Sequence, residues 1–136
     1  MNLSLERVVY VSQSANPDPA LVSLAEILAA ADRNNRRDGL TGALVVSGGQ
    51  FLQFLEGARQ DLTRMMAKLE QDPRHRQMQV LNRAPIDRRM FGEWTMVAAR
   101  ISPGQQPRME EVIRLSANQP KMAAEKMLSL VKHQIG

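Results

Sequence analysis

The sequence contains no cysteine, and only two histidines, His75 and His133, occur among its 136 residues. Without thiols the chain has no disulfide, no thiolate metal site and no cysteine nucleophile. Two histidines are also too few for a histidine-rich metal site. We therefore expect no metal centre in this protein.

Long hydrophobic runs are lacking as well. The longest apolar stretches, residues 40–46 and 51–55, are far shorter than the roughly 20 residues that a membrane-spanning helix needs. Residues 1–10 show no basic start followed by an apolar block, so we expect no secretion signal. These absences predict a cytoplasmic protein without a membrane partner.

The chain has a basic excess, which raises the question of a nucleic-acid partner. Its net charge is +4 and its isoelectric point is about 10.1, but the arginines are scattered along the chain and form no cluster. A weak general basicity is more typical of solubility than of a binding groove. We therefore expect no nucleic-acid partner.

The spacing of apolar residues predicts alternating strands and helices within one domain. In chain order the prediction gives a strand at 7–12, a helix at 20–32 closed by the polar run 33–39, a hairpin of strands 40–47 and 50–56 joined by Gly48-Gly49, a helix that ends before Asp72-Pro73, a strand at 79–82, a helical turn at 88–91 and a strand at 94–99. The order β-α-β-β-α-β is that of a ferredoxin-like sandwich, an α/β fold of the α+β type, with both helices on one face of an antiparallel sheet. Here the sheet has one extra strand.

Residues 101–136 differ in character from residues 1–100 and are predicted to form a C-terminal helical extension. Helices are predicted at 107–117 and 120–134, and their apolar stripes contain Met109, Val112 and Ile113 in the first and Met122, Met127, Leu130 and Val131 in the second. Helices of this length are not stable alone in water. We therefore expect them to pack on the sheet or on a partner subunit.

The motifs of common enzymes are missing. The sequence has no nucleophile elbow, no phosphate loop and no Gly-rich dinucleotide fingerprint. An acylphosphatase-type enzyme would share the predicted topology, but residues 12–16 contain neither the glycine nor the arginine of its phosphate-cradling loop. We therefore expect no enzymatic activity.

Two neutral polar side chains stand out within apolar strands. Tyr10, the only tyrosine, lies among valines in the first strand, and Gln53 interrupts the run Phe51-Leu52-Gln53-Phe54-Leu55. A buried amide is costly unless its donors and acceptors are satisfied. Strand alternation places Gln53 on the same face as Phe51 and Leu55, so we predict that it points inward or lies on a face covered by the C-terminal helices.

Several blocks of the sequence, taken in order, resemble the signature of BLUF photoreceptor domains. The blocks are Arg7-Val8-Val9-Tyr10, Asn34-Asn35, Gly39-Leu40-Thr41-Gly42, Phe51-Leu52-Gln53-Phe54-Leu55-Glu56-Gly57, Asp72-Pro73-Arg74-His75 and Phe91-Gly92-Glu93-Trp94-Thr95-Met96. The match runs from about Glu6 to about Ala99. Each block is modest by itself, but the series at this spacing is specific.

The resemblance implies a blue-light receptor that binds FAD non-covalently between its two helices, with the isoalloxazine edge facing the sheet. It implies that Tyr10 reduces the excited flavin and that Gln53 bridges this tyrosine and the N5 and C4=O region of the ring. The other residues that the resemblance assigns are Asn34 and Asn35 at the pyrimidine-like edge, Ile27 packing on the ring, Arg74 and His75 beside the flavin on the second helix, and Trp94 and Met96 on a strand near Gln53 that relays the signal.

Elementary chemistry agrees with these roles. A carboxamide carries both a carbonyl and an NH₂ group, so asparagine can pair with the alternating acceptors and donors of the flavin edge. The Gln53 amide can rotate or change tautomer, and a new bond to C4=O would shift absorption to the red and reverse in the dark. Other interpretations stay open: the Asn pair as a helix cap, His75 as a surface or capping residue, and Trp94 as core packing.

Two other functions compete with a light receptor. A light-inactive ferredoxin-like scaffold would not need Tyr10 and Gln53, which are both intact. A nucleic-acid-binding module would need aromatic and basic side chains on exposed central strands, but Phe51 and Phe54 face opposite sides. No cyclase, phosphodiesterase or DNA-binding segment follows residue 100, so we expect output through a separate downstream signalling protein or through contacts within a homo-oligomer.

Overall fold

The computed structural model describes residues 4–14, 33–73 and 75–135, which form a mixed α+β fold on one five-stranded sheet. The strands are β1 (Leu5–Ser14), β2 (Thr41–Ser47), β3 (Gln50–Ala58), β4 (His75–Pro85) and β5 (Val97–Arg100). They lie in the order β4-β1-β3-β2-β5, and β1 to β4 pair antiparallel. The predicted ferredoxin-like fold with one extra strand is confirmed.

The described helical segments are residues 33–38 (α1), α2 (Arg59–Glu70), α3 (Gln106–Asn118) and α4 (Pro120–Ile135). Gly39 closes α1 in the left-handed region with φ +69°, where a side chain would be strained. Gly48 and Gly49 both have positive φ, which suits the two-residue turn that joins β2 and β3. The chain thus bends sharply at the positions that glycine favours.

Strand alternation places two apolar clusters on opposite faces of the sheet. The α2-side cluster consists of Val8, Tyr10, Leu40, Leu44, Val46, Phe51, Leu55, Leu62, Met65, Met66 and Met96. The tail-side cluster consists of Val9, Val11, Ala43, Val45, Leu52, Phe54, Phe91, Val97, Ile101, Met109, Val112, Ala123, Ala124, Met127, Leu130 and Val131. Helices α3 and α4 therefore cover the sheet face opposite to α2.

Several predicted details were wrong, each for a local reason. Helix α1 continues to Asp38, so Asn34 and Asn35 lie within a helix and not beyond its end. Residues 88–91 form no helical turn, because the peptide N–H groups of Met90 and Phe91 bond to a side chain instead. The last strand begins at Val97 and runs parallel to β2, so the sheet is not wholly antiparallel.

Two further predictions concern side chains and strand length. Met122 does not join the packed stripe of α4, since it is 43% exposed. Strand β4 is longer than predicted because it pairs with β1 from Glu6↔Pro85 to Ser14↔His75, with irregularities in register along the way. Within the described residues no helix is long and apolar enough to cross a membrane, and no group of His, Cys, Asp or Glu side chains is placed to hold a metal ion.

Candidate functional site

A cavity lies between α2 and the α2-side face of the sheet. Its apolar walls are Leu44, Phe51, Leu55, Met65 and Leu69. Its polar groups, apart from Lys68 and Asp72, are Tyr10, Asn34, Asn35, Gln53 and His75. Five of the residues singled out from the sequence therefore meet in one place, although they come from α1, β1, β3 and β4.

The centre of the polar wall is a bond between Tyr10 and Gln53. The two residues are direct partners in the β1–β3 ladder, and the Tyr10 hydroxyl donates to Gln53 Oε1. The other side of the amide donates from Nε2 to Met96 Sδ at 3.7 Å. This orientation is chemically consistent, because a thioether only accepts hydrogen bonds whereas a phenol can donate one. Gln53, only 7% exposed, thus links β1 to the residue just before β5.

Asn35 connects α1 to the segment that precedes β5. Its side chain is buried, and Nδ2 donates to the backbone oxygen of Thr95 at 2.5 Å. Asn34 is half-buried and lines the same cavity. Both amides point inward from a helix, so neither is a simple cap beyond a helix end. Asn35 holds residue 95, the neighbour of the Gln53 partner Met96.

His75 is the first residue of β4 and not part of the second helix, which corrects the sequence prediction. Its Nε2 lies 2.5 Å from the Leu69 carbonyl and its Nδ1 lies 2.8 Å from Ser12 Oγ. Because a carbonyl can only accept, Nε2 carries the proton, and Nδ1 accepts from Ser12 in the neutral ring. The ring meets Tyr10 edge-on with centroids 6.1 Å apart. His75 therefore fixes the wall beside Tyr10.

The structure separates the two residues predicted to relay the signal. Met96 belongs to the α2-side cluster and contacts Gln53, whereas Trp94 is half-buried against the tail-side cluster and is not part of the cavity lining. Neither lies within a strand, because β5 starts at Val97. Ile27 and Arg74 lie outside the described residues.

Sequence reasoning missed Lys68 and Asp72, which also line the cavity. The signal was present, because positions 65, 68, 69 and 72 share one face at helical spacing. Lys68 is exposed and Asp72 is half-buried. The cavity therefore has charged groups as well as amides.

A buried carboxylate on the tail-side face was also missed. Glu56 is fully buried, and Arg7, its partner across the β1–β3 ladder, donates from Nε to Glu56 Oε2 at 2.8 Å. The peptide N–H groups of Met90 and Phe91 also donate to this carboxylate, each at 2.8 Å. Thr41 Oγ1 is a longer contact at 3.4 Å. The sequence alone suggests a solvated glutamate at a strand end, since nothing in it places residue 90 nearby.

Arg37 and Asp38, whose pKa values are both shifted, form an ion pair at the end of α1, away from the cavity lining. Arg37 donates to Asp38 from Nε at 3.1 Å, and this bond lowers the pKa of the Asp38 carboxyl below its ordinary value and raises the pKa of Arg37. The Arg37 side chain is 59% exposed and that of Asp38 is 10% exposed, so the pair lies at the surface on its arginine side.

A larger cleft lies on the other side of the molecule, near the start of α4. It has a volume of about 760 Å³, against about 100 Å³ for the cavity, so size alone would favour it. Its lining mixes cations and carboxylates, among them Arg88, Lys121, Asp87 and Glu125, and contains no aromatic ring among the described residues. We regard the cavity as the functional site because its amide and hydroxyl groups converge.

The donors and acceptors of the cavity fit a flavin. An isoalloxazine ring needs flat apolar walls and, at one edge, groups that both donate and accept hydrogen bonds. The cavity offers such walls from Phe51, Leu55 and Met65, with amides from Asn35 and Gln53. The residues present therefore agree with the cofactor that the sequence resemblance implies.

Comparison with known proteins gives the same answer. The family model of BLUF, described as sensors of blue light using FAD, matches residues 5–97. A photoactivated adenylate cyclase subunit beta from Euglena longa is 38% identical over 99 residues, which cover 72% of this chain but only 12% of the relative. The chain belongs to the BLUF family, whose domains bind FAD and sense blue light.

Solved structures extend the similarity to almost the whole chain. BlrB, a BLUF protein in its dark state, superposes with a TM-score of 0.77 at 26% identity, covering 98% of this chain and 99% of that one. The photo-activated state of BlsA gives a TM-score of 0.75 at 26% identity, with coverage of 91% and 94%. The described α3 and α4 thus have counterparts in proteins of similar length.

Proposed function

We propose that this chain is a blue-light receptor whose photochemistry is carried by Tyr10 and Gln53. The observation that supports this most strongly is the buried Tyr10–Gln53 bond, which continues through the same amide to Met96. A scaffold without photochemistry has no need of a buried amide held between a phenol and a thioether. A light-inactive scaffold and a nucleic-acid-binding module are therefore the weaker alternatives.

FAD would supply the absorption of blue light and an electron acceptor. Asn34 and Asn35 would hold the polar edge of its ring, and Leu55 and Met65 belong to the apolar walls on which it would pack. Ile27 and Arg74 are assigned to the same site by the sequence resemblance. His75 would brace Tyr10 through its edge-on ring contact.

Tyr10 is suited to supply both an electron and a proton, because its phenol is held in a bond to Gln53 Oε1. Loss of that proton removes the donor that fixes the amide. Gln53 can then turn, or change tautomer, so that its donor and acceptor sides exchange. Met96 loses its hydrogen-bond donor in the same event, so the change at the cavity reaches the segment that precedes β5.

The signal would leave through residues 89–96 and the helical extension. Trp94 and Phe91 belong to this segment and pack with α3 and α4, whereas Met96 faces the cavity. We divide the chain into a photosensor domain, residues 1–100, and an extension, residues 101–136. We further propose a cytoplasmic protein that acts as a sensor and not as an enzyme, with output through a homo-oligomer or a separate signalling protein.

An absorption spectrum before, during and after blue illumination tests this function. We expect a flavin spectrum that shifts to the red in light and returns in the dark, because only the hydrogen bonds at the flavin edge change. A colourless protein that also takes up no added FAD would contradict the proposal. A protein that shows a flavin spectrum but no light-induced shift would support the alternative of a light-inactive scaffold that binds flavin.

Met96→Leu tests the relay from Gln53. The leucine keeps the apolar volume but removes the sulfur that accepts from Gln53 Nε2 at 3.7 Å. We expect an intact red shift and a dark-recovery time changed by about two- to fivefold, since a weak hydrogen bond contributes about 0.5–1 kcal/mol. Met66→Leu, at a buried methionine of α2 that is not part of the cavity lining, is the control. Equal recovery times in the two variants would exclude Met96 from the relay.

A further inference from the structure

Residues 89–96 cross from one face of the sheet to the other without forming a helix or a strand. Phe91 is fully buried in the tail-side cluster, and its ring lies 5.4 Å from the ring of Phe54. Met96, five residues later, is buried in the α2-side cluster beside Gln53. We call residues 89–96 the crossing segment. It connects the cavity face of the sheet to the face that the C-terminal helical extension covers.

Peptide groups of the crossing segment bond mainly to side chains, and one backbone bond joins it to β2, from Gly42 N to the Trp94 carbonyl at 3.1 Å. At its start, the N–H groups of Met90 and Phe91 both donate to the Glu56 carboxylate. At its end, the Thr95 carbonyl accepts from Asn35. Peptide groups that are buried need such partners, because water cannot replace them. At Met90 and Phe91, Glu56 thus takes the role that a neighbouring strand would otherwise have.

Arg89 adds a second attachment near the same point. Its Nη2 donates to the Gly39 carbonyl at 2.9 Å, and its Nη1 donates to Thr41 Oγ1 at 3.0 Å and to the Glu56 carbonyl at 3.1 Å. Gly39 closes α1, the helix that carries Asn35. The start of the crossing segment and the end of α1 are therefore fixed to the same few residues of β2 and β3.

We infer that Glu56 is a positioning residue for the photocycle: its buried carboxylate anchors Met90 and Phe91 and thereby gives Trp94 and Met96 a single resting place. The simpler role of neutralising Arg7 does not account for the two peptide donors, which carry no net charge. With the anchor in place, a displacement of Met96 has to be taken up within residues 92–96. The effect on recovery rests on the proposed photoreceptor function, whereas the effect on placement does not.

Glu56→Gln in the full chain with FAD tests the inference. The amide keeps the shape of the side chain, but its NH₂ group meets other donors, from Arg7 and Met90, so one anchoring bond is lost. Trp94 is the only tryptophan, so its fluorescence reports the crossing segment. We expect greater quenching of Trp94 by acrylamide in the dark, and recovery slowed by about tenfold because a hydrogen bond to a charged group is lost. The red shift itself should remain, since Tyr10 and Gln53 are untouched.

Glu6→Gln is the matched control. Glu6 is a β1 carboxylate that pairs with Arg83 at 2.7 Å, and no described hydrogen bond joins it to residues 89–96. Glu56→Gln variants that match this control in both quenching and recovery would overturn the inference. A change in quenching alone would overturn the role in the photocycle and leave a structural one. If the wild type shows no red shift, the proposed function fails, and Trp94 quenching still decides whether Glu56 places the segment.

A second variant tests the inference in case Glu56→Gln alone does not fold. Glu56→Gln leaves the Arg7 charge buried without its partner, which is costly. The double variant Arg7→Met, Glu56→Gln removes both charges and still lacks the carboxylate that accepts from Met90 and Phe91. The same rise in quenching and slower recovery in the double variant would support the inference. Wild-type values for both would show that charge neutralisation is the only role of Glu56.

Discussion

Tyr10→Phe is expected to abolish the light-induced red shift while the protein still binds FAD. The ring keeps its place in the α2-side cluster, but the hydroxyl that donates to Gln53 Oε1 is gone. Phenylalanine has no proton to give and is a far weaker electron donor, so the amide receives no trigger. The measurement is the difference between absorption spectra recorded in the dark and under blue light.

The control for this variant is Phe54→Leu, at a ring-bearing position of the tail-side cluster that is not part of the cavity lining. Its red shift should persist, because the Tyr10–Gln53 pair is unchanged. Loss of one buried hydrogen bond is expected to lower the stability of Tyr10→Phe by about 1–3 kcal/mol, so the variant should remain folded. A full red shift in Tyr10→Phe would show that another residue is the donor and would remove the basis of the proposed mechanism.

Val131→Asp is expected to destabilise the whole protein and not only its last helix. Val131 is fully buried in the tail-side cluster, together with strand residues such as Phe54 and Val45. An aspartate buried there would lose its hydration, so the free energy of unfolding should fall by roughly 4 kcal/mol or more. Urea denaturation followed by circular dichroism measures this change.

Met122→Asp serves as the control on the same helix, because Met122 is 43% exposed. Its free energy of unfolding should stay within about 0.5 kcal/mol of the wild type. If Val131→Asp were equally mild, α4 would not be part of the core that the sheet forms. In a milder variant, Val131→Ala, a changed dark-recovery time would be evidence that the C-terminal helices are coupled to the photocycle.

Much of the sheet could be predicted because its signals are local. The valines around Tyr10 and the alternation from Phe51 to Leu55 define strands and their faces without knowledge of their neighbours. The same alternation predicted that Gln53 points inward or is covered by the C-terminal helices, and the structure has it buried in the cavity beside α2. The glycines at positions 48 and 49 likewise marked the hairpin.

What could not be predicted depends on contacts between distant parts of the chain. Glu56 and Phe91 are 35 positions apart, and no pattern in either segment shows that one binds the other. Residues 88–91 were predicted as helical because local propensity does not include the effect of a carboxylate on a strand that is distant in sequence. The sequence did not predict that Trp94 and Met96 pack on opposite faces of the sheet, because this depends on where the chain crosses the sheet.

Strand β5 has a consequence for how the molecule opens. It is short, it lies at the edge of the sheet, and its ladder pairs only Ala43↔Val97 through Val46↔Arg100. Edge elements with few hydrogen bonds detach at a lower free energy than the central strands, so β5 is expected to open locally while β1 and β3 stay paired. Amide hydrogen exchange should therefore be fastest at this margin of the sheet. Strand β5 directly follows Met96. The edge strand that we expect to open most easily is therefore also the one next to the residue that the proposed Gln53 rearrangement reaches.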